Sequence, residues 1–276
     1  MSIYRLLKTA FTSGDYYKAM NYALTMLDGD YQMLHYPFKV NEEESFSDAQ
    51  NNLIDYCISH LPDIADKKVL DLGCGNGTVS FYLAQNHNID KVVGVDLNHN
   101  NVTIANSEKQ KRKTSNVFFM KDDAQNLTQV EDDSFDILIN IESAFHYPDK
   151  HQFLDEVHRV LKPGGQFIIA DIVRTKKGNS WLRKWKKKMN FNHWSQDEYV
   201  TAFDSRPLNL KTKSDISPDI INGFKMYRNY INNSKLDSYF SGLMIKIFFL
   251  VNVKLNIYLL KNRRKYYVFY GHKKIA

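Results

Sequence analysis

Cysteine is nearly absent: Cys57 and Cys74 are the two in 276 residues. Two thiols make neither a disulfide scaffold nor a cysteine-based zinc site, so a reducing, cytoplasmic setting without a metal centre is expected. Glycine numbers 12, and with 43% hydrophobic and 25% charged residues the chain is not disordered throughout. The first residues, MSIYRLLKTAFTSGDYYKAM, lack a long apolar core and a small-residue cleavage site, so no secretory signal is read there. No apolar run reaches the ~20 residues of a membrane span uninterrupted. The best candidate, residues 239–260, carries Lys246, Asn252, Lys254 and Asn256, and a buried or amphipathic helix is expected instead. Acid is missing between Asp171 and Asp197, where Arg174, Lys176, Lys177, Arg183, Lys184, Lys186, Lys187 and Lys188 crowd around Trp181 and Trp185. This stretch, residues 174–188, reads as a solvated helix face or as a docking segment. Its partners would be an anionic membrane surface, an acidic acyl-carrier protein or a phosphorylated substrate. No recognition motif supports nucleic acid as the partner, despite a net charge of +6.

What is present is a regular alternation. Apolar strand-like segments, KKVLDLG, KVVGVDL, NVFFMKDDA, FDILINIES and QFIIADIV, are separated by helix-like ones. Fully apolar strands between helices predict a mostly parallel sheet covered on both faces. LNLKTKSDI and the β-prone YYVFYGHKK complete an expected seven-stranded, Rossmann-like α/β sheet. About fifty residues lie between those last two strands, far more than a hairpin loop needs, and they predict a helical cap over the site. The expected organisation is an N-terminal helical lid (1–61), a core (62–216), a cap insertion (217–264) and a final core strand (265–276).

The seam between the first strand and its helix, VLDLGCGNGTVSFYLAQ, carries Gly73, Gly75 and Gly77 after Asp71. Alternating glycines let the backbone turn sharply and approach a ligand, and the helix N-terminus offers unpaired N–H groups. A dinucleotide fingerprint would need a third glycine where Thr78 stands. Asp71 would repel a pyrophosphate but attract an ammonium or sulfonium, so a cationic, phosphate-free ligand is favoured. Asp96 ends the next strand, where a carboxylate accepts ribose hydroxyls.

Taken in order, VLDLGCGNG, VVGVDLN, KDDAQNL, FDILINIESAFHY and FLDEVHRVLKPGGQFIIAD resemble a class I S-adenosylmethionine-dependent methyltransferase. The resemblance implies S-adenosyl-L-methionine as cofactor and S-adenosyl-L-homocysteine as product. By motif, Asp71, Gly73, Gly75 and Gly77 would line the methionine moiety, Asp96 would hold the ribose, and Leu97 would lie beside the adenine. Asp123, with Asp122 as an alternative acid, would receive the adenine amino group next to Ala124. Asn140, Ile141 and Glu142 would sit under the sulfonium, and Gln50 would cap the cofactor's carboxylate or be a surface residue.

For a hydroxyl acceptor the protein must position the nucleophile and remove its proton. His146 follows the fourth strand and Asp171 ends the fifth, so an imidazole oriented by a carboxylate is the expected base, against a purely structural histidine. ESAFHYPD, followed by a strand ending in Asp, resembles small-molecule O-methyltransferases of natural-product and lipid pathways. Some of these carry two histidines where this chain has Phe145 and His146. LHYPF, with His35 and Tyr36, resembles their lid segment, and Tyr31 and Phe38 belong to it or simply pack. The expected function is O-methylation of a small lipophilic hydroxylated metabolite of polyketide, quinol or glycolipid type. C- or N-methylation by positioning alone, a nucleic-acid methyltransferase and a non-catalytic donor-binding protein are the alternatives.

Overall fold

The apolar strands assemble side by side, as their lack of a polar face requires. The computed structural model describes residues 34–41, 44–176, 190–234 and 240–275. Tyr31 with the rest of residues 1–33, and the basic run from Lys177 to Lys188 with Trp181 and Trp185, lie outside the described residues.

Strands β1 (Lys68–Leu72), β2 (Lys91–Asp96), β3 (Val117–Lys121), β4 (Phe135–Ile141) and β5 (Leu161–Arg174) are parallel. β6 (Leu208–Asp215) and β7 (Arg264–Lys273) complete a seven-stranded sheet in the order β3-β2-β1-β4-β5-β7-β6, with β7 antiparallel to both neighbours. The chain leaves β1 towards β2 on one side and returns as β4 on the other. The switch point therefore lies between the carboxyl ends of β1 and β4, where open α/β sheets bind ligands. One difference from the expected elements concerns the KPGG turn. β5 starts at Leu161, which pairs with Phe135, and the ladder resumes at Gln166 after an irregularity, so the turn bulges from a longer strand.

Helices cover both faces. On one lie α1 (Phe46–Ile58), α2 (Thr78–Asn86), α6 (Ser217–Asn233) and α7 (Phe240–Asn262), contributing Leu53, Ile54, Phe81, Ile220, Phe224, Phe249 and Val253 to one core. On the other, α4 (Lys150–Val160) and α5 (Gln196–Asp204) bury Phe153, Leu154, Val157, Tyr199 and Phe203 against Leu70, Leu138, Phe167 and Phe269. α3 (His99–Arg112) follows β2. The starts of α1 and α5 are fixed by capping boxes, Ser45 with Asp48 and Ser195 with Glu198, which satisfy orphan N–H groups reciprocally.

α6 and α7 stand between β6 and β7, over the carboxyl-end side of the sheet. α7 is apolar and long enough to cross a membrane over Gly242–Asn262. Its inner side nevertheless buries Ile245, Phe249, Val253 and Leu260 in the core, so the helix packs on the fold, as its interrupting polar residues predicted. Its outer side shows Leu243, Ile247, Val251, Leu255 and Tyr258 to solvent.

Candidate active site at the carboxyl ends of the parallel strands

After Leu72 the chain bends through three glycines with positive φ: +73° at Gly73, +56° at Gly75 and +86° at Gly77. Side-chain-free residues are required here by the protein itself. A Cβ on Gly73 would lie 2.2 Å from Ser143 Oγ, and one on Gly77 would lie 2.6 Å from the Phe119 ring. The bend is tied to β2 by Gly73 N–H and Cys74 N–H donating to Val95 O, at 2.7 and 3.0 Å. Gly75 N–H donates to Asp96 Oδ2 at 2.9 Å, while Asp96 Oδ1 accepts from Asn98 N–H at 2.7 Å. Burial nonetheless pushes the Asp96 carboxyl up.

Asp71 is buried at 2% exposure and accepts from Ser80 Oγ at 2.6 Å. Burial pushes its carboxyl up to about 7, the Ser80 hydrogen bond works against that, and the charge of Asp96 adds to it. Two partly desolvated carboxylates thus flank a glycine bend, with no lysine or arginine against them in the contacts of the described residues.

Beyond β2, Leu97 is 62% exposed, an apolar side chain left uncovered beside Asp96. The alternative between Asp122 and Asp123 has a structural basis. Both Asp122 oxygens serve the loop, accepting from Asp123 N–H and Gln129 N–H at 2.9 and 3.0 Å. Asp123 uses only Oδ1, for the N–H and side-chain amide of Gln125. Ala124 beside it is buried.

At the end of β4, Asn140 acts as a lock. Its amide donates to Leu72 O at 2.8 Å, Ser143 Oγ at 2.6 Å and Tyr147 Oη at 3.1 Å, joining the ends of β1 and β4. Its Oδ1 is buried without a hydrogen-bond partner in the described structure. Ile141 is buried, and Glu142 ends the strand with φ +52°, a conformation rare for a residue with a side chain. Glu142 Oε1 accepts from Tyr36 N–H at 2.7 Å, and burial pushes the carboxyl up to about 8. The Tyr266 hydroxyl approaches this carboxylate electrostatically but makes no hydrogen bond of regular geometry.

Residues 34–41 lie across this end of the sheet. Phe38 N–H donates to Ala49 O at 2.7 Å, and the Tyr36 ring packs edge-on to Phe224 of α6 at 4.6 Å. His35 Nε2 hydrogen-bonds the carbonyl of Gln50 at 2.8 Å, and Gln50 Nε2 reaches back to His35 O at 3.5 Å. Gln50 thus joins α1 to this segment. Burial lowers His35 to about 4, so it is a neutral strut at physiological pH.

His146 closes a 3-10 turn, Ala144–His146, directly after Ser143. Its ring lies 4.3 Å from Phe145 and 5.3 Å from Phe191. Asp171 is fully buried nearby: Oδ1 accepts from Phe145 N–H at 3.1 Å and Oδ2 from Tyr199 Oη–H at 2.6 Å. Asp171 holds the loop backbone one residue before His146, and Tyr199 on α5 faces its other oxygen. The sequence could not pair Asp171 with Tyr199, because the contact spans 28 residues and depends on how α5 lies against the sheet.

Lys150 braces the same loop from below. It is 1% exposed, and its ammonium donates to the carbonyls of Asn192 and Tyr147 while lying over the Trp194 ring. Burial holds it down to about 8 against the attraction of Asp171 and Glu198. Arg174 is also no free surface cation. It pairs with Glu198 and donates to His193 O at 3.0 Å.

Sequence patterns match the architecture. The family model described as a methyltransferase domain matches residues 64–223, from just before β1 into α6. The chain belongs to this methyltransferase-domain family. The matched span contains the glycine bend, Asp96, Asp123, His146 and Asp171, while residues 34–41 and β7 fall outside it. The chain is 36% identical over 110 residues to a phthiotriol/phenolphthiotriol dimycocerosates methyltransferase of Mycobacterium tuberculosis, covering 40% of this chain and 39% of the relative. It is 37% identical over 109 residues to a fatty-acid O-methyltransferase of Mycolicibacterium smegmatis, covering 40% of this chain and 38% of the relative. The chain therefore spans less than half the length of these two curated relatives. Among solved structures it is similar to phosphoethanolamine N-methyltransferase 2 of Haemonchus contortus, bound to phosphomonomethylethanolamine and S-adenosylhomocysteine. That likeness has a TM-score of 0.81 and 16% identity, over 99% of this chain and 60% of the other, and it concerns the fold. As a methyltransferase domain, this one puts its acids and its histidine at the switch point, with Phe191, Tyr199, Arg264 and Tyr266 as site neighbours that sequence motifs did not reveal. Alternation along β7 was the available signal for the last two, since residues 264, 266 and 268 share a face.

Proposed function

We propose that the chain is an S-adenosyl-L-methionine-dependent methyltransferase that O-methylates a small lipophilic hydroxylated metabolite of polyketide, quinol or glycolipid type and releases S-adenosyl-L-homocysteine. The observation that carries this reading is the acid-flanked glycine bend: Asp71 and Asp96, both raised by burial, beside three glycines at positive φ. A site of that charge fits a sulfonium compound and opposes a pyrophosphate. Asp71, Gly73, Gly75 and Gly77 hold the methionine part, with Asn140, Ile141, Glu142 and Gln50 around it. Asp96 takes the ribose hydroxyls, and Leu97, Asp123 and Ala124 border the adenine. When bound, the cofactor supplies an electrophilic methyl group for in-line displacement.

The chain's own residues do the rest. His146 accepts the acceptor's hydroxyl proton as general base. Asp171 is a positioning residue that fixes the loop through Phe145 N–H, and Tyr199 keeps its carboxylate aimed. The name of the fatty-acid O-methyltransferase relative supports oxygen as the methylated atom. Calorimetry with S-adenosyl-L-homocysteine and with NAD, followed by transfer of a labelled methyl group to long-chain hydroxylated acceptors, tests the reading. Binding of the homocysteine compound and label recovered as an ether or ester are expected. Tight NAD uptake without donor binding refutes it.

A peripheral membrane contact fits the same reading, because α7 leaves Leu243, Ile247, Val251, Leu255 and Tyr258 between 41% and 60% exposed along one stripe. Such an apolar stripe, with the cationic residues 174–188 apart from Arg174, suits an anionic bilayer that stores a lipophilic acceptor. The double variant Ile247→Asp/Val251→Asp is expected to co-sediment several-fold less with phosphatidylglycerol vesicles at unchanged donor affinity. Equal sedimentation of variant and parent removes the membrane contact and leaves an acyl-carrier partner to be tested by pull-down.

A further inference from the structure

β7 begins with a buried cation. Alternation along the strand sends Arg264, Tyr266 and Val268 to the face covered by α6 and α7, and the burial pattern follows it. Arg264 is 9% exposed and Tyr266 is not exposed at all. The Arg264 guanidinium lies 5.7 Å from the centroid of Phe191, whose ring is in turn 5.3 Å from that of His146.

Among the described residues no carboxylate pairs with Arg264. Its neighbours on the two strands are each satisfied: Arg174 by Glu198, and Lys265 by Asp215 at 3.1 Å. A guanidinium taken out of water loses much of its hydration unless an opposite charge faces it, and this desolvation holds Arg264 below the usual arginine range. A second donor sits on the same strand face, since the buried Tyr266 hydroxyl lacks a hydrogen-bond partner. Its ring is 6.2 Å from that of Tyr36. The Tyr36 hydroxyl donates to Asn256 Oδ1, so it offers no negative charge. The nearby Glu142, raised to about 8, is mostly protonated at neutral pH and does not supply one either. Two buried donors on one strand face, the Phe191 ring beside the guanidinium and no paired carboxylate among the described residues suit the charged head of an aromatic or aliphatic acid.

We propose that Arg264, with the Tyr266 hydroxyl, binds an anionic head group, carboxylate or phosphate, of the lipophilic acceptor. This deepens the acceptor side of the methyltransferase reading and rests on it for the identity of the ligand as acceptor. Arg264 is then a specificity residue: it selects acidic amphiphiles over neutral ones of the same length.

Titration calorimetry on the full chain tests this with dodecanoate, dodecyl phosphate, methyl dodecanoate, dodecanol and inorganic phosphate, each in the presence and absence of S-adenosyl-L-homocysteine. At least one of the two anionic amphiphiles is expected to bind about tenfold or more tighter than its neutral counterpart, the range of one charged hydrogen bond. Arg264→Gln should erase that preference, Arg264→Lys should keep part of it, and Tyr266→Phe should weaken it several-fold. Affinity for S-adenosyl-L-homocysteine should stay within about twofold in both Arg264 variants. Equal affinity for charged and neutral amphiphiles in the parent, or no binding of either anion, overturns the proposal, and the parent comparison stands even where a variant fails to fold. Inorganic phosphate binding as tightly as dodecyl phosphate also overturns it, because the site would then take the free ion. Anion preference without S-adenosyl-L-homocysteine binding leaves the anion site standing and refutes the methyltransferase reading, so the two failures are separable.

Discussion

The Asp71→Asn variant is expected to bind S-adenosyl-L-methionine at least about 100-fold more weakly and yet to melt at a higher temperature than the parent above pH 7, because removing one partner of a desolvated charge pair costs about 2–5 kcal/mol of binding. Asp71 has an unfolded-state value near 3.8 and a folded value of about 7, raised chiefly by burial. A carboxyl raised in this way costs the fold nothing below the lower value, where both states carry the proton. The cost grows as pH rises between the two and is complete above the folded value. The amide has no ionised form, so its advantage in melting temperature should open between about pH 4 and 7 and then stay level, at several degrees. Donor affinity should follow the opposite logic. A cation is best held by the ionised carboxylate, so the parent's affinity should rise with pH through about 7, while that of Asp71→Asn stays flat. Calorimetry and thermal melts across this pH range read both effects. Undiminished donor binding by the amide variant would remove Asp71 from the cofactor site.

His146→Ala is expected to lower turnover by about 10²–10⁴, the range of a lost general base, with little change in affinity for S-adenosyl-L-homocysteine. The substitution also removes ring contacts with Phe145 and Phe191, so a melt of the same sample is needed to separate catalysis from loop packing. A structural role would lower stability and donor affinity together, whereas loss of a base leaves the pH–rate profile of the variant without the acid-side fall in rate that protonation of the imidazole causes. Turnover close to that of the parent would mean that the methylated atom arrives without a proton to lose, as in an ionised acid or an amine. In that case an anion held by Arg264 would be the nucleophile itself and not an anchor for it.

The alternation of apolar strands and helices was legible from sequence because burial on both faces leaves no polar period in β1, β2, β4 and β5. The glycine bend was legible too, although its cause is partly internal: Ser143 and Phe119 occupy the space that side chains at Gly73 and Gly77 would need. The length of the segment between β6 and β7 also announced the helices there. Less was legible where a side chain has a partner far along the chain. Asp171 was read as the partner of His146, and the hydrogen bonds from Phe145 N–H and Tyr199 Oη–H to its oxygens were not legible. Arg174 was read as part of a docking patch, but Glu198 on α5 faces it. Asp123 was preferred over Asp122 by motif, and the different loop hydrogen bonds of the two were not legible.

By itself the sequence determined the α/β class, the acid-flanked glycine bend and the order of the segments that mark a methyltransferase domain, because each is set by residues within a few positions of one another. Tertiary structure alone decided which carboxylates are desolvated, which loop Asp171 holds and that Arg264 is buried beside Phe191 with no paired carboxylate among the described residues. Those properties depend on distance and on exclusion of water, and both are fixed only when segments up to 220 residues apart, such as Tyr36 and Asn256, come into contact.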